Sequence, residues 1–73
     1  MAEQKAFVVD IDDAVRRYAD MVYRLAVLNT RNRYEAEDVF QEVFLKLFRH
    51  KEGICNEEHL KAWLIRVTVN QCK

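Results

Sequence analysis

The sequence predicts an all-α fold, a compact bundle of three main helices. Proline is absent and glycine occurs once, so the chain carries few of the residues that interrupt helices. Apolar side chains recur at three- and four-residue steps in three separate segments, as the inner face of an amphipathic helix requires. A chain of 73 residues, 51% of them hydrophobic, has room for one small core, and we expect one marginally stable domain.

Asp12 is predicted to be the N-cap of the first helix, which is expected to end near Asn29. The residues before it, 1–11, are expected to form an N-terminal tail, so that the domain spans 12–73. Its inner face is predicted from apolar residues at helical spacing: Val15, Tyr18, Val22, Leu25 and Ala26.

The second helix follows a short polar connection and has the clearest periodicity in the chain. It is predicted from Tyr34 to His50, with acidic residues in its first turn and basic residues in its last, the order that the helix dipole favours. Its inner stripe is predicted to consist of Ala36, Val39, Phe40, Val43, Phe44, Leu47 and Phe48.

The third helix is predicted after the loop KEGICN, with Asn56 as its N-cap and Leu60, Leu64 and Val67 on its inner face. No glycine or proline near Lys73 marks a helix end, so we expect the helical pattern to continue there. We therefore expect a fragment, truncated at its C-terminal end.

The charge pattern argues against a protein held to duplex DNA by bulk charge, because twelve basic and twelve acidic residues cancel. The segment from His59 to Lys73, however, carries Lys61 and Arg66 as well as Lys73, and no acidic residue. An anionic partner should therefore meet this segment.

Motifs of catalysis, metal binding and membrane targeting are absent from the sequence. Cys55 and Cys72 are seventeen positions apart with no CxxC pair, so we expect reduced, partly buried thiols and no metal. Without a GxSxG, HExxH or glycine-rich phosphate motif, we expect no enzyme and no cofactor. Neither a secretory leader nor a long apolar run is present, which favours a cytoplasmic protein without membrane insertion.

Two surfaces are candidate binding sites, and the first lies on the second helix. Asp38, Gln41, Glu42 and Leu45 follow helical spacing beside the aromatic inner face and form a candidate docking edge. A solvated helix face has the same spacing, so the pattern alone leaves both interpretations open. Leu45 is the one member that a solvated face does not need.

The second surface is a wall of the third helix, formed by residues that fall within an arc of roughly 100° at the helical repeat. Its members are His59, Ala62, Trp63, Arg66, Asn70 and Lys73. Cations that follow phosphates, combined with amides and aromatic rings that engage unpaired bases, suit single-stranded nucleic acid. The alternative is that Trp63 belongs mainly to the core, with Arg66 lying over it.

The segments AEDVFQEVFLKLF and AWLIRVTVN, at this spacing, make the chain resemble region 2 of extracytoplasmic-function (ECF) sigma factors of the sigma-70 family. The resemblance covers about residues 13–73. It implies a bacterial transcription initiation domain that docks on the coiled coil of the RNA polymerase β′ subunit. It also implies binding of the melted, single-stranded promoter minus-ten region, and an anti-sigma factor as a further partner.

The resemblance also implies roles for individual residues. Asp38, Gln41 and Glu42, with Leu45 as a subsidiary contact, would bind the β′ coiled coil of RNA polymerase. The DNA-binding residues would be Trp63, Arg66, Asn70 and Lys73. Asn70 would help form a pocket for a flipped base together with the loop 51–56, while Arg66 would follow the strand backbone and Trp63 would mainly support the fold.

Two other classes of protein compete with this interpretation. A pure protein-interaction bundle could use the same helices but would not need the acid-free segment from His59 to Lys73. A duplex-reading helix-turn-helix protein would need a recognition helix with several polar base-reading residues. The third helix is too apolar for that, because Ile65, Val69 and Cys72 add a second apolar strip.

Overall fold

The computed structural model describes residues 7–72 and contains three α-helices joined by short connections. Helix α1 spans Ile11–Asn29, α2 spans Arg33–His50 and α3 spans Glu57–Gln71, with a short 3-10 helix at Lys51–Gly53 after α2. No strand occurs between residues 7 and 72. Each α-helix packs against the other two, which confirms the predicted all-α bundle.

The N-terminus of each α-helix is capped by the side chain of the preceding residue. Asn32 accepts a hydrogen bond from the backbone N–H of Glu35 at 2.8 Å, and Asn56 accepts one from the N–H of His59 at 2.8 Å. These bonds satisfy amide groups that have no partner inside the helix. The prediction of Asn56 as a cap is confirmed.

Helix α1 begins two residues earlier than predicted, because Asp10 rather than Asp12 is its cap. The backbone of Asp10 is extended and its carboxylate accepts from the N–H of Asp13 at 3.3 Å. The earlier start brings Ile11 against the core and buries Ala14 almost completely. Within the segment predicted as a tail, Phe7 packs against the core and Val9 is buried.

The inner face of α2 is as predicted except at its C-terminal end. Ala36, Val43 and Leu47 are fully buried, but Phe48, expected on the inner stripe, is 58% exposed. The reason is helical geometry: each four-residue step turns the side chain by roughly 40°. The row of residues Ala36, Phe40, Phe44 and Phe48, which are four positions apart, therefore turns gradually around the helix. At Phe48 the side chain lies past the edge of the core.

The inner face of α3 contains one polar residue that periodicity did not predict. Leu60 and Leu64 are buried and Val67 is half-buried, as expected, but Thr68 is fully buried as well. Its hydroxyl donates to the carbonyl of Leu64 at 2.6 Å, which offsets most of the cost of burying a polar group.

A polar cluster between α1 and α3 fixes the start of α3 to the bundle. Arg17 donates to the Glu57 carboxylate at 2.5 Å and pairs with Asp13 at 3.1 Å, and the Tyr18 hydroxyl also donates to Glu57. The hydrogen bond from Tyr18, assisted by Arg17, holds the pKa of Glu57 below its usual value. The same contacts raise the pKa of Tyr18 and of Arg17.

The helices of the described chain are too polar or too short to cross a membrane.

Candidate binding surfaces

The predicted docking residues all lie on the outward side of α2. Asp38 and Gln41 are exposed, Glu42 is half-buried, and Leu45 has half of its side chain in solvent. No hydrogen bond or ion pair within residues 7–72 involves the side chain of Asp38, Gln41 or Glu42. The fold of this part of the chain leaves all three polar groups available to a partner.

These residues border two different clefts, one on each flank of α2. Asp38 and Glu42 line a cleft of about 440 Å³ that reaches Gln71 and Cys72 at the end of α3. Gln41 instead lines a groove of about 390 Å³ against α1, where Tyr23 and Phe40 form an edge-to-face aromatic pair with centroids 6.3 Å apart. The outward side of α2 is therefore a ridge between an acidic cleft and a largely apolar groove.

Phe48 extends this ridge, although the sequence predicts it inside. It lies one turn beyond Leu45, and the Lys51 ammonium group lies 5.2 Å from the centre of its ring. Two exposed apolar side chains thus adjoin the acidic and amide groups, a combination that is frequent at protein interfaces.

The predicted nucleic-acid wall of α3 divides into buried and exposed members. Trp63 is half-buried and packs against the core, whereas Arg66 and Asn70 are exposed. Lys73, the fourth predicted DNA-binding residue, lies outside the described residues. His59 acts locally, because its Nδ1 accepts from the N–H of Cys55 at 3.1 Å and so holds the loop against the start of α3.

Asn70 and Trp63 share a cavity of about 310 Å³ between α2 and α3. Lys46 and His50 of α2 form its opposite wall, and the Lys46 ammonium group donates to the Gln71 side chain at 2.6 Å. Arg66 does not line this cavity. The cavity therefore combines an amide, an imidazole and an indole, and Arg66 lies outside it on the surface of α3.

Lys46 and His50 are the members of this site that sequence reasoning missed. A helical wheel of α2 could have found them. Both lie on the flank of α2 that faces away from the groove between Phe40 and Tyr23 of α1, and a third helix must pack on that flank. Motif searching has no reason to select a lysine and a histidine four residues apart.

The loop 51–56 does not share this cavity with Asn70. It precedes α3, whereas Asn70 follows Glu57 by thirteen residues, which places it roughly 20 Å farther along the helix axis. In the loop itself Ile54 is buried in the core, which fixes the path of the chain between Gly53 and Asn56.

The two cysteines have different environments. Cys55 is exposed, contrary to the expectation of a partly buried thiol, because it lies in the loop before α3. Cys72 is half-buried at the acidic cleft, and this burial raises the pKa of its thiol. Both are free, and no cluster of three histidine, cysteine or acidic side chains within residues 7–72 is suited to hold a metal ion.

Comparison with known proteins identifies the family. The family model for sigma-70 region 2 matches residues 14–73. The chain is 41% identical over 59 residues to the ECF RNA polymerase sigma factor SigE of Mycolicibacterium smegmatis, covering 81% of this chain and 23% of that protein. It is 32% identical over 60 residues to the ECF RNA polymerase sigma factor SigM of Bacillus subtilis, covering 82% of this chain and 36% of that protein.

A third relative, the ECF RNA polymerase sigma factor SigW of Bacillus subtilis, is 31% identical over 58 residues, which cover 80% of this chain and 31% of that protein. The chain thus spans only about a quarter to a third of the relatives it matches. No solved structure shows a significant match. On the family model and these relatives, the chain belongs to the sigma-70 region 2 family and is a region 2 domain of the ECF type.

Proposed function

We propose that this domain acts in bacterial transcription initiation by holding RNA polymerase with α2 and melted promoter DNA with α3. The relatives named above are RNA polymerase sigma factors, and the family model covers nearly the whole described chain. The proposed activity is binding in the cytoplasm, without a reaction catalysed by the domain. The further partner proposed for it is an anti-sigma factor.

The proposed polymerase contact is the ridge of α2 formed by Asp38, Gln41, Glu42 and Leu45, directed at the coiled coil of the β′ subunit. The polar groups of this ridge have no partner within residues 7–72, and Leu45 is half exposed. A partner helix that covers Leu45 would bring its polar side chains to carboxylates on one flank and an amide on the other. Charge-assisted hydrogen bonds of this kind contribute about 1.5–3 kcal/mol each.

The proposed DNA contact is the cavity between α2 and α3, which would receive one unpaired base of the non-template strand. Enzymes that extrude a base hold it between aromatic or apolar surfaces and read its edge by hydrogen bonds. Trp63 and Val67 supply such surfaces, and Asn70 and His50 supply hydrogen-bonding groups. Arg66, exposed beside the cavity, would contact the phosphate backbone.

One observation carries this proposal above all. Asn70 and Trp63 open into the same cavity as Lys46 and His50, and the segment of α3 that lines it carries no acidic residue. Basic groups combined with an aromatic surface suit a base attached to a phosphate backbone.

The test is a titration of fluorescently labelled single-stranded minus-ten DNA with core RNA polymerase, in the presence and absence of the full-length factor. The proposal expects strand binding that depends on the factor and falls when the strand sequence is scrambled. A pure protein-interaction bundle would bind its partner but leave strand affinity unchanged.

A further inference from the structure

A basic surface lies at the corner where α1 passes into α2. Between Met21 and Tyr34 the chain carries three arginines, Arg24, Arg31 and Arg33, and no aspartate or glutamate. All three are exposed, and the ion pairs formed within residues 7–72 involve Arg17 instead. In the described chain, the guanidinium groups of this surface are therefore not neutralised by a paired carboxylate.

Two of these arginines border a cleft. Arg31 and Arg33, together with Tyr23, Val27 and Asn32, line an open space of about 350 Å³ that contains no residue of α3. Val27 is 45% exposed and Tyr23 is half-buried, so the wall opposite the arginines is apolar. We refer to Tyr23, Val27, Arg31, Asn32 and Arg33 as the corner cleft.

The stability of α2 does not account for the position of these cations. Arg33 is the first residue of α2 and Arg31 immediately precedes its N-cap, where the positive end of the helix dipole disfavours a positive side chain. The carboxylate of Glu35 offsets part of this charge by accepting from the backbone N–H of Arg31 at 3.3 Å. It forms no ion pair with either guanidinium group.

Two large exposed apolar side chains follow members of the corner cleft in the sequence. Leu28 follows Val27 and is 79% exposed, and Tyr34 follows Arg33 and is 83% exposed. Exposed aliphatic and aromatic groups beside arginine form the composition typical of protein interfaces.

We propose that the corner cleft binds an acidic segment of a partner protein. An aliphatic side chain of that segment packs against Val27 and Tyr23, and flanking carboxylates pair with Arg31 and Arg33. Guanidinium groups form two parallel hydrogen bonds with a carboxylate, which gives such a contact direction as well as charge. This surface shares Tyr23 with the groove that Gln41 lines beside the α2 ridge, and it has no residue in common with the cavity at Asn70.

Two features favour a protein partner over nucleic acid. Within the cleft the exposed wall at Val27 is aliphatic, and the one aromatic ring among the lining residues, that of Tyr23, is half-buried. In addition, the acidic cleft that extends from the connection between α1 and α2 to the end of α3 is lined by Glu35, Asp38 and Glu42. A nucleic acid strand that continued from Asn70 to Arg31 would cross these carboxylates.

The test is an NMR titration of the 73-residue chain with three probes. These are a short acetylated peptide of alternating leucine and glutamate, the same peptide with lysine for glutamate, and oligothymidylate. The leucine–glutamate peptide is expected to shift the backbone amide signals of residues 23–34. Arg31→Ala with Arg33→Ala should lower its affinity about tenfold, because two solvent-exposed ion pairs are lost.

Two further variants separate charge from packing. Arg24→Ala removes one positive charge outside the corner cleft, as Arg31→Ala alone does inside it, and should leave the affinity nearly unchanged. Val27→Ser keeps every arginine but removes the apolar wall, and should clearly lower the affinity for the leucine–glutamate peptide. If the double arginine variant loses helicity by circular dichroism, Val27→Ser and Arg31→Ala alone decide the matter.

Equal affinity of the parent and the arginine variants would overturn the proposal, and so would equal binding of the lysine peptide. Stronger shifts of residues 23–34 with oligothymidylate than with the leucine–glutamate peptide would assign the corner cleft to nucleic acid instead.

Discussion

Trp63 of α3 and His50 of α2 lie next to each other across the cavity between these helices, with ring centroids 6.3 Å apart and planes inclined at 45°. Helix α2 thus contributes to both proposed surfaces, with its outward ridge for polymerase and one flank for the cavity that contains Asn70. A partner that fixes the position of α2 would also fix one wall of the base cavity. Polymerase docking and strand capture are therefore expected to be coupled.

The first prediction concerns His50 as a wall of the base cavity. His50→Ala should weaken binding of the promoter strand by holoenzyme about two- to tenfold, the value of one hydrogen bond. Arg49→Ala is the matched control, because it also removes a basic residue from the last turn of α2 but does not line the cavity. Filter binding of labelled single strands measures both. Equal losses for the two variants would remove His50 from the site.

The second prediction concerns the α2 ridge. Gln41→Ala with Glu42→Ala should weaken binding to core polymerase strongly, because each lost polar contact costs roughly 1–3 kcal/mol. Helicity should stay unchanged, since neither side chain bonds within the described chain. Glu52→Ala serves as the control, because Glu52 is exposed and acidic but lines neither the acidic cleft nor the apolar groove on the flanks of the ridge. Parental affinity of the double variant for a β′ coiled-coil fragment would show that the docking surface is elsewhere.

The third prediction compares two neighbouring residues of α2 that have opposite environments. Leu47 is fully buried and Phe48 is 58% exposed. Leu47→Ala should lower the free energy of unfolding by about 2–5 kcal/mol, which a small domain tolerates poorly. Phe48→Ala should change it by about 0.5 kcal/mol or less. Chemical denaturation followed by circular dichroism tests this, and comparable destabilisation by the two variants would contradict the orientation of α2.

The fourth prediction concerns acid sensitivity through Glu57. Because its hydrogen bonds to Tyr18 and Arg17 lower the pKa of its carboxyl group in the folded state, Glu57 binds a proton more readily in the unfolded chain. Its contribution to stability is therefore complete above its usual pKa of 4.5 and is lost as the pH falls below that value. Glu57→Gln should flatten the dependence of the unfolding midpoint on pH in this acidic range.

Glu58→Gln is the matched control for this experiment, because Glu58 also lies in the first turn of α3 but is exposed and forms no ion pair among residues 7–72. It should keep the parental slope. A slope for Glu57→Gln that equals that of Glu58→Gln would mean that the α1–α3 cluster adds nothing in solution.

Much of the fold follows from the sequence, because strong periodicity and capping residues act locally. Asn56 as a cap and the burial of Val43 and Leu47 are examples of what period and capping chemistry predict. The start of α1 did not follow, because Asp10 and Asp12 are both acceptable caps. Only the packing of Ile11 and Ala14 distinguishes between them. The exposure of Phe48 and the burial of Thr68 likewise depend on where the neighbouring helices lie.

The candidate surfaces are predictable in part for the same reason. Residues on one helix, such as Asp38 and Glu42 or Trp63 and Asn70, can be grouped from their spacing alone. The cavity that brings Lys46 and His50 to Asn70 forms between two helices, so no spacing rule contains it. The hydrogen bonds of Arg17 and Tyr18 to Glu57 join residues about forty positions apart and are equally invisible to periodicity.

The central claim is that Asn70 reads an unpaired base while Arg66 contacts phosphate. Its most direct measurement is strand binding by holoenzyme assembled with the full-length factor carrying Asn70→Ala or Arg66→Ala, on cognate and scrambled strands at several salt concentrations. Arg66→Ala should weaken both strands alike and lower the salt slope by about one unit. Asn70→Ala should reduce the preference for one position of the cognate strand and leave the salt slope nearly intact. Equal losses on cognate and scrambled strands for Asn70→Ala, in a folded protein, would contradict a base-reading role for the cavity.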